Sequence, residues 1–168
     1  MKTHRVFLGI GSNVGDRGKF LNRAAAELKG VRDTKVVWNS SVYETDAYGR
    51  TDQPKFLNAI VEVETSLTPP ELLDEIKAVE SRTGRTLIEH WGPREIDVDI
   101  LLYEGLVYSD DRVTVPHPEL EKRKFVLVPF REIAPDIVHP VTGLTVEELA
   151  ASCQDTGRVV MSTYRIRI

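Results

Sequence analysis

The segment Thr68-Pro69-Pro70-Glu71 places the firmest constraint on the fold. A threonine followed three residues later by glutamate forms a capping box. Proline suits the first helical turn, whose N–H groups have no intrahelical acceptor. The segment therefore predicts a helix beginning at residue 69, with Leu72, Leu73, Ile76 and Val79 as its buried stripe and Gly84 as its stop. Immediately before it, Phe56 to Thr65 alternates as a strand does. Upstream, Val6 to Ile10 reads as a short apolar strand ended by Gly11. A helix follows, with Phe20, Leu21, Ala24, Ala25 and Leu28 on one stripe and Gly30 as its stop. Val36 to Tyr43 is β-branched and aromatic enough for one strand, and Thr45 to Pro54 is rich in turn formers. Glu95 to Tyr103 predicts a further strand.

The order strand, helix, strand, strand, helix, strand implies an α+β fold of the ferredoxin-like kind, in which helices pack on an antiparallel sheet. The part after about Val107 predicts short strands, two short helices and a last strand over Val159 to Ile168. A chain of 168 residues with no linker, repeat or low-complexity tract suits one domain spanning 1–168. The net charge of −4 argues against bulk binding to nucleic acid or anionic membranes. No run of eighteen apolar residues exists, and the apolar run ending at Gly9 is too short for a signal peptide. Cys153 stands alone, so neither an internal disulfide nor a cysteine-based zinc site is expected, and a reducing cytoplasm is the simplest reading.

Ile96-Asp97-Val98-Asp99-Ile100 carries the clearest chemistry. Side chains alternate along a strand, so Ile96, Val98 and Ile100 face the core while Asp97 and Asp99 share the other face, their Cα atoms roughly 6–7 Å apart. Two carboxylates at ~6 Å repel by about 3 kcal/mol at an effective dielectric of 20, and by ~0.7 kcal/mol in bulk water. On an open face the pair is cheap and needs no ligand. In a partly closed site a divalent cation relieves it, and carboxylates with phosphate oxygens suit magnesium. The neighbouring Trp91-Gly92-Pro93-Arg94 supplies an aromatic ring, turn formers and a permanent cation, which favours the metal reading. Candidate cations for a nucleotide are Arg94, Arg112, His117, Lys122, Arg123 and Lys124. Two common nucleotide motifs are absent. Val14 stands where a dinucleotide fingerprint needs glycine, and Phe20 follows Gly18-Lys19 where a phosphate loop needs serine or threonine.

Several segments together resemble the 6-hydroxymethyl-7,8-dihydropterin pyrophosphokinase family. They are Gly9 to Asn13, Asp52 to Asn58, Gly84-Arg85, Trp91 to Leu101, Val115-Pro116-His117 and Pro129 to Pro135. The resemblance implies a three-layer arrangement of helices around the sheet and transfer of diphosphate from ATP to a pterin hydroxymethyl group, releasing AMP. It implies two magnesium ions on Asp97 and Asp99, with Arg94, Asp97, Asp99 and His117 as the catalytic set. Leu73, Lys77, Glu80, Trp91, Arg94, Ile100, Arg112, Thr114, His117 and Arg123 fall at nucleotide positions. Thr45, Tyr48, Phe56, Asn58, Trp91 and Phe125 fall at pterin positions, the two phenylalanines as a sandwich. The partners implied are ATP and the pterin alone, with the chain a monomer. Residues 44–54 and 84–92 are expected to close over the site. Three positions depart from the family pattern: 86–90 lacks Lys and Arg, Ala47 replaces a common proline, and Pro118 follows His117. On the residues alone, a two-metal nucleotidyltransferase and a non-catalytic ligand-binding domain remain open alternatives.

Overall fold

A computed structural model describes residues 2–49, 51–86 and 92–167. The elements run β1 (His4–Ser12), α1 (Arg17–Leu28), β2 (Thr34–Asn39), β3 (Tyr43–Thr45), β4 (Phe56–Thr65), α2 (Pro69–Thr83), β5 (Asp97–Tyr103), β6 (Tyr108–Ser109) and β7 (Thr114–Val115). A 3-10 turn (Leu120–Lys122), α3 (Lys124–Ile133), α4 (Val146–Ser152) and β8 (Val159–Met161) complete the chain. The main sheet is ordered β5-β1-β4-β3-β8, with β2 also paired to β4, and all its pairings are antiparallel. This is the expected ferredoxin-like arrangement, extended by β8 at one edge.

Helices cover both faces. Val6, Leu8, Ile10, Val61, Val63, Val98 and Ile100 pack with Leu21, Leu28, Leu72, Ile76 and Val79 from α1 and α2. On the opposite face Phe7, Ile60, Leu101 and Leu102 pack with Leu127 and Phe130 of α3 and Leu149 of α4. The α2 boundary follows its capping signals. Thr68 accepts from the Glu71 N–H, Glu71 accepts from the Thr68 N–H, and Gly84 takes a left-handed φ of 115°. Leu72, Ile76 and Val79 are fully buried, each contributing about 1.5–3 kcal/mol. No helix among the described residues is long and apolar enough to cross a membrane.

Five expectations need correction. The strand expected over Val6 to Ile10 is not ended by Gly11: β1 runs on to Ser12, because Gly11 pairs with both Asn58 and Asp97. The single strand expected over 36–43 is two strands, β2 and β3. Between them the Ser40 hydroxyl donates to the Ser41 carbonyl at 2.7 Å and accepts from the Ile60 N–H at 2.9 Å, while the Ser41 N–H donates to Glu132 at 2.9 Å. These side-chain bonds compete with a regular ladder. The alternation read in β4 is not an alternation of burial, because layers on both sides bury Ala59 to Val63 without a break. The strand expected from Glu95 begins at Asp97, because the Glu95 carboxylate turns back to accept from the Thr86 N–H at 3.3 Å. The last strand stops at Met161, after which the chain crosses α1. There Tyr164 packs on Gly18, and Asn22 bonds the Arg165 carbonyl at 3.1 Å and the Arg167 N–H at 2.8 Å.

Candidate active site

The α3–α4 layer covers only part of its face of the sheet. The uncovered part is the floor of a cleft of about 200 Å³, lined by residues of β1, β4, β5 and the loops beside them. Register sets the floor. Gly11 lies opposite Asp97 on one side and Asn58 on the other, and Gly9 lies between Asp99 and Ile60. The two carboxylates and the Asn58 amide are thus separated by backbone without side chains. A Cβ at Gly11 would lie 2.4 Å from Asn58 Oδ1, and one at Gly9 3.3 Å from the Leu101 side chain. The glycines are there for close approach.

At the acidic end, Asp97 Oδ1 lies 3.2 Å from Arg85 Nη1 and 3.5 Å from Arg94 Nη1. Asp99 Oδ2 lies 4.0 Å from Arg123 Nη1. Burial at the base of the cleft, and then the Asp97 charge, push Asp99 up to about 7 against the pull of Arg123 and Arg94. Its side chain is still 36% exposed, so water in the cleft moderates that penalty. A pair of acids crowded enough to hold a proton is one a divalent cation would relieve. Two carboxylates plus phosphate oxygens and water form a donor set that magnesium accepts. Among the described residues no group of three or more His, Cys, Asp or Glu converges on a metal position, so substrate oxygens would have to complete the coordination.

His117 is held against β5 by its N–H, which donates to the Leu101 carbonyl at 2.8 Å. Its Nδ1 accepts from the Glu119 N–H at 3.1 Å, leaving Nε2 as the donor. Burial, then the Arg123 charge, push it down to about 4, so it enters the cleft as a neutral imidazole.

At the other end of the cleft Phe56, Asn58, Tyr48 and Phe125 converge. Asn58 Nδ2 donates to the buried Thr45 hydroxyl at 2.8 Å, which orients the amide. Of the sequence-selected residues, Tyr48, Phe56, Asn58, Arg94, Asp97, Asp99, His117, Arg123 and Phe125 line this cleft. Leu73, Lys77, Glu80, Ile100, Arg112 and Thr114 are not part of its lining. Glu80 is buried, its carboxylate accepting from Arg85 at 2.8 Å and from the Val98 N–H at 2.9 Å. Ile100 belongs to the core on the α1–α2 side. Lys77 lies 3.6 Å from Glu80, Arg112 pairs with Asp74 on α2, and the exposed Thr114 bonds Ser109 at 2.9 Å. Trp91, with the rest of 87–91, lies outside the described residues.

Sequence reasoning gave no role to three residues that organise the cleft. Arg85 bridges Glu80 and Asp97. Asn13 ties three segments together. Its Nδ2 donates to Gln53 Oε1 at 2.8 Å and to the Pro54 carbonyl at 3.0 Å, its Oδ1 accepts from the Arg94 N–H at 2.9 Å, and its own N–H donates to the Arg94 carbonyl at 3.1 Å. Gln53 lines the cleft itself. The available signals were Arg85 directly after the helix-stopping Gly84, and Asn13 directly after the strand.

The family profile of 7,8-dihydro-6-hydroxymethylpterin-pyrophosphokinase (HPPK) matches residues 7–135. The 2-amino-4-hydroxy-6-hydroxymethyldihydropteridine pyrophosphokinase of Methylorubrum extorquens is 44% identical over 153 residues, covering 91% of this chain and 96% of that protein. The Aquifex aeolicus protein of the same name is 46% identical over 136 residues, covering 81% of this chain and 84% of that one. A crystal structure of Plasmodium falciparum HPPK-DHPS with pterin and p-hydroxybenzoate superposes with a TM-score of 0.71 at 16% identity. That match covers 89% of this chain but only 44% of the Plasmodium chain, and it supports the fold alone. With a profile match over most of its length and two relatives above 40% identity, the chain belongs to the 7,8-dihydro-6-hydroxymethylpterin-pyrophosphokinase family.

Proposed function

We propose that residues 1–168 act as one monomeric unit that transfers the terminal diphosphate of ATP to the hydroxymethyl oxygen of 6-hydroxymethyl-7,8-dihydropterin, releasing AMP, in folate synthesis. The observation that carries this reading is the glycine floor, with Asp97 and Asp99 on one side and the Asn58–Phe56 pocket on the other. It brings an anion-and-metal region within two strand spacings, about 10 Å, of a site for a flat heterocycle. The monomeric reading is supported by one chain's supplying the floor and the described walls.

In this reading Asn58 reads the hydrogen-bonding edge of the pterin, Thr45 fixes the amide that does so, and Phe56 and Phe125 cover the ring faces. The hydroxymethyl group then points towards the acidic end. Its oxygen attacks the β-phosphorus of ATP, the bond to the α-phosphate oxygen breaks, AMP leaves with that oxygen, and the hydroxyl proton passes to water. Magnesium, as two ions on Asp97 and Asp99, would neutralise phosphate charge and acidify the alcohol. Arg85 and Arg94, which now rest against Asp97, are placed to turn to the phosphates. The His117 Nε2–H offers a neutral donor, and Arg123 a permanent charge.

The test is reaction of the chain with ATP, magnesium and the reduced pterin, followed by phosphorus NMR. AMP and a pterin diphosphate are expected. Release of inorganic diphosphate from ATP would replace this reading with nucleotidyl transfer.

A further inference from the structure

The loop 45–49 is fastened from behind by the carboxy-terminal segment. Thr45 pairs with Val159, the Asp46 N–H donates to the Arg158 carbonyl at 3.1 Å, and the Asp46 carboxylate accepts from the Arg158 N–H at 3.0 Å. Ala47 is buried, and Gly49 turns the chain with a φ of 87°. These restraints bring the Tyr48 ring onto Arg123. The guanidinium carbon lies 5.4 Å from the Tyr48 ring centroid and 5.7 Å from that of Phe125, and the two rings are 6.0 Å apart. Both distances fall inside the ~6 Å range in which an aromatic face attracts a cation. The same guanidinium lies 4.0 Å from Asp99, and its charge acts on His117.

We propose that Tyr48 is a positioning residue for the nucleotide: with Phe125, its ring face holds the Arg123 guanidinium at the Asp99–His117 end of the cleft, so that a loop on the pterin side aims a cation on the phosphate side. Freezing a long arginine side chain costs entropy, and stacking it on two rings before the ligand arrives removes part of that cost from binding. The stack needs the ring face and not the phenol hydroxyl. The proposal rests on the reading that Arg123 meets ATP phosphates.

The test is equilibrium binding of α,β-methylene-ATP with magnesium, in the absence of pterin, to the full chain and to Tyr48→Phe, Tyr48→Leu, Arg123→Ala and the double variant Tyr48→Leu/Arg123→Ala. Circular dichroism confirms that each variant is folded. Tyr48→Phe should bind as the unaltered chain does, and Tyr48→Leu about three- to tenfold more weakly. The double variant should bind no more weakly than Arg123→Ala. If Tyr48→Leu binds normally while Arg123→Ala is weakened, Tyr48 is only a wall of the pterin pocket and the proposal fails. If Tyr48→Phe is weakened as much as Tyr48→Leu, the ring face is not the cause and the proposal also fails. If Arg123→Ala itself binds normally, the phosphate assignment of Arg123 falls and takes the proposal with it, a pattern distinct from the other two.

Discussion

Gly11 faces Asn58 across the β1–β4 ladder so closely that a Cβ at position 11 would sit 2.4 Å from the Asn58 side-chain oxygen. Gly11→Ala should therefore displace the amide that Thr45 orients. We expect it to weaken pterin binding about tenfold or more, the cost of one misplaced polar contact, with a much smaller change for α,β-methylene-ATP. Calorimetry with each ligand separately checks this. Equal losses for both would mean that the floor as a whole had collapsed.

Asp97 is the acid against which Arg85 and Arg94 both rest. Asp97→Asn keeps the shape and removes the charge. Turnover should fall by orders of magnitude with the circular dichroism spectrum unchanged, and the magnesium concentration needed for half-maximal rate should rise. Near-normal turnover would remove Asp97 from the proposed metal site.

His117 is held neutral, with its pKa pushed down to about 4 by burial and by Arg123. In the unfolded chain an imidazole titrates near 6.5. Between these values the unfolded state binds the proton and the native state does not, so stability rises with pH. The contribution, on the order of 1–3 kcal/mol, should be complete above about pH 6.5 and lost as pH falls towards 4. Urea unfolding at pH 4.5 and pH 7 should differ less in His117→Gln than in the unaltered chain. An identical pH response in the two would contradict the neutral assignment.

Asn13 is 2% exposed and bonds Gln53, Pro54 and Arg94. Removing its side chain leaves partners unsatisfied on both sides of the cleft. Asn13→Ala should cost about 1–3 kcal/mol of stability, and kcat should fall more than the affinity for either substrate changes. A loss of stability with kcat intact would reduce Asn13 to a structural bracket.

The helix α2 was legible because its signals are local. A capping box, prolines at its start and Gly84 at its end act within a few residues, and no distant contact competes with them. The shared face of Asp97 and Asp99 was legible for the same reason, since strand alternation needs only neighbouring residues. The break at Ser40 and Ser41 was not, because it depends on Glu132 and Ile60, far away in the chain. Nor was the late start of β5, which depends on Glu95 turning back to Thr86.

The sequence alone therefore determined the order of the elements, the kind of sheet they could form and which acids point the same way, since these follow from backbone periodicity and local capping. Only the tertiary structure decided that Gly9 and Gly11 lie between those acids and Asn58, that Arg85 and Asn13 organise the cleft, and that His117 stands there uncharged. Each of these depends on register between strands and on burial by remote segments, and neither is encoded in any single stretch of chain.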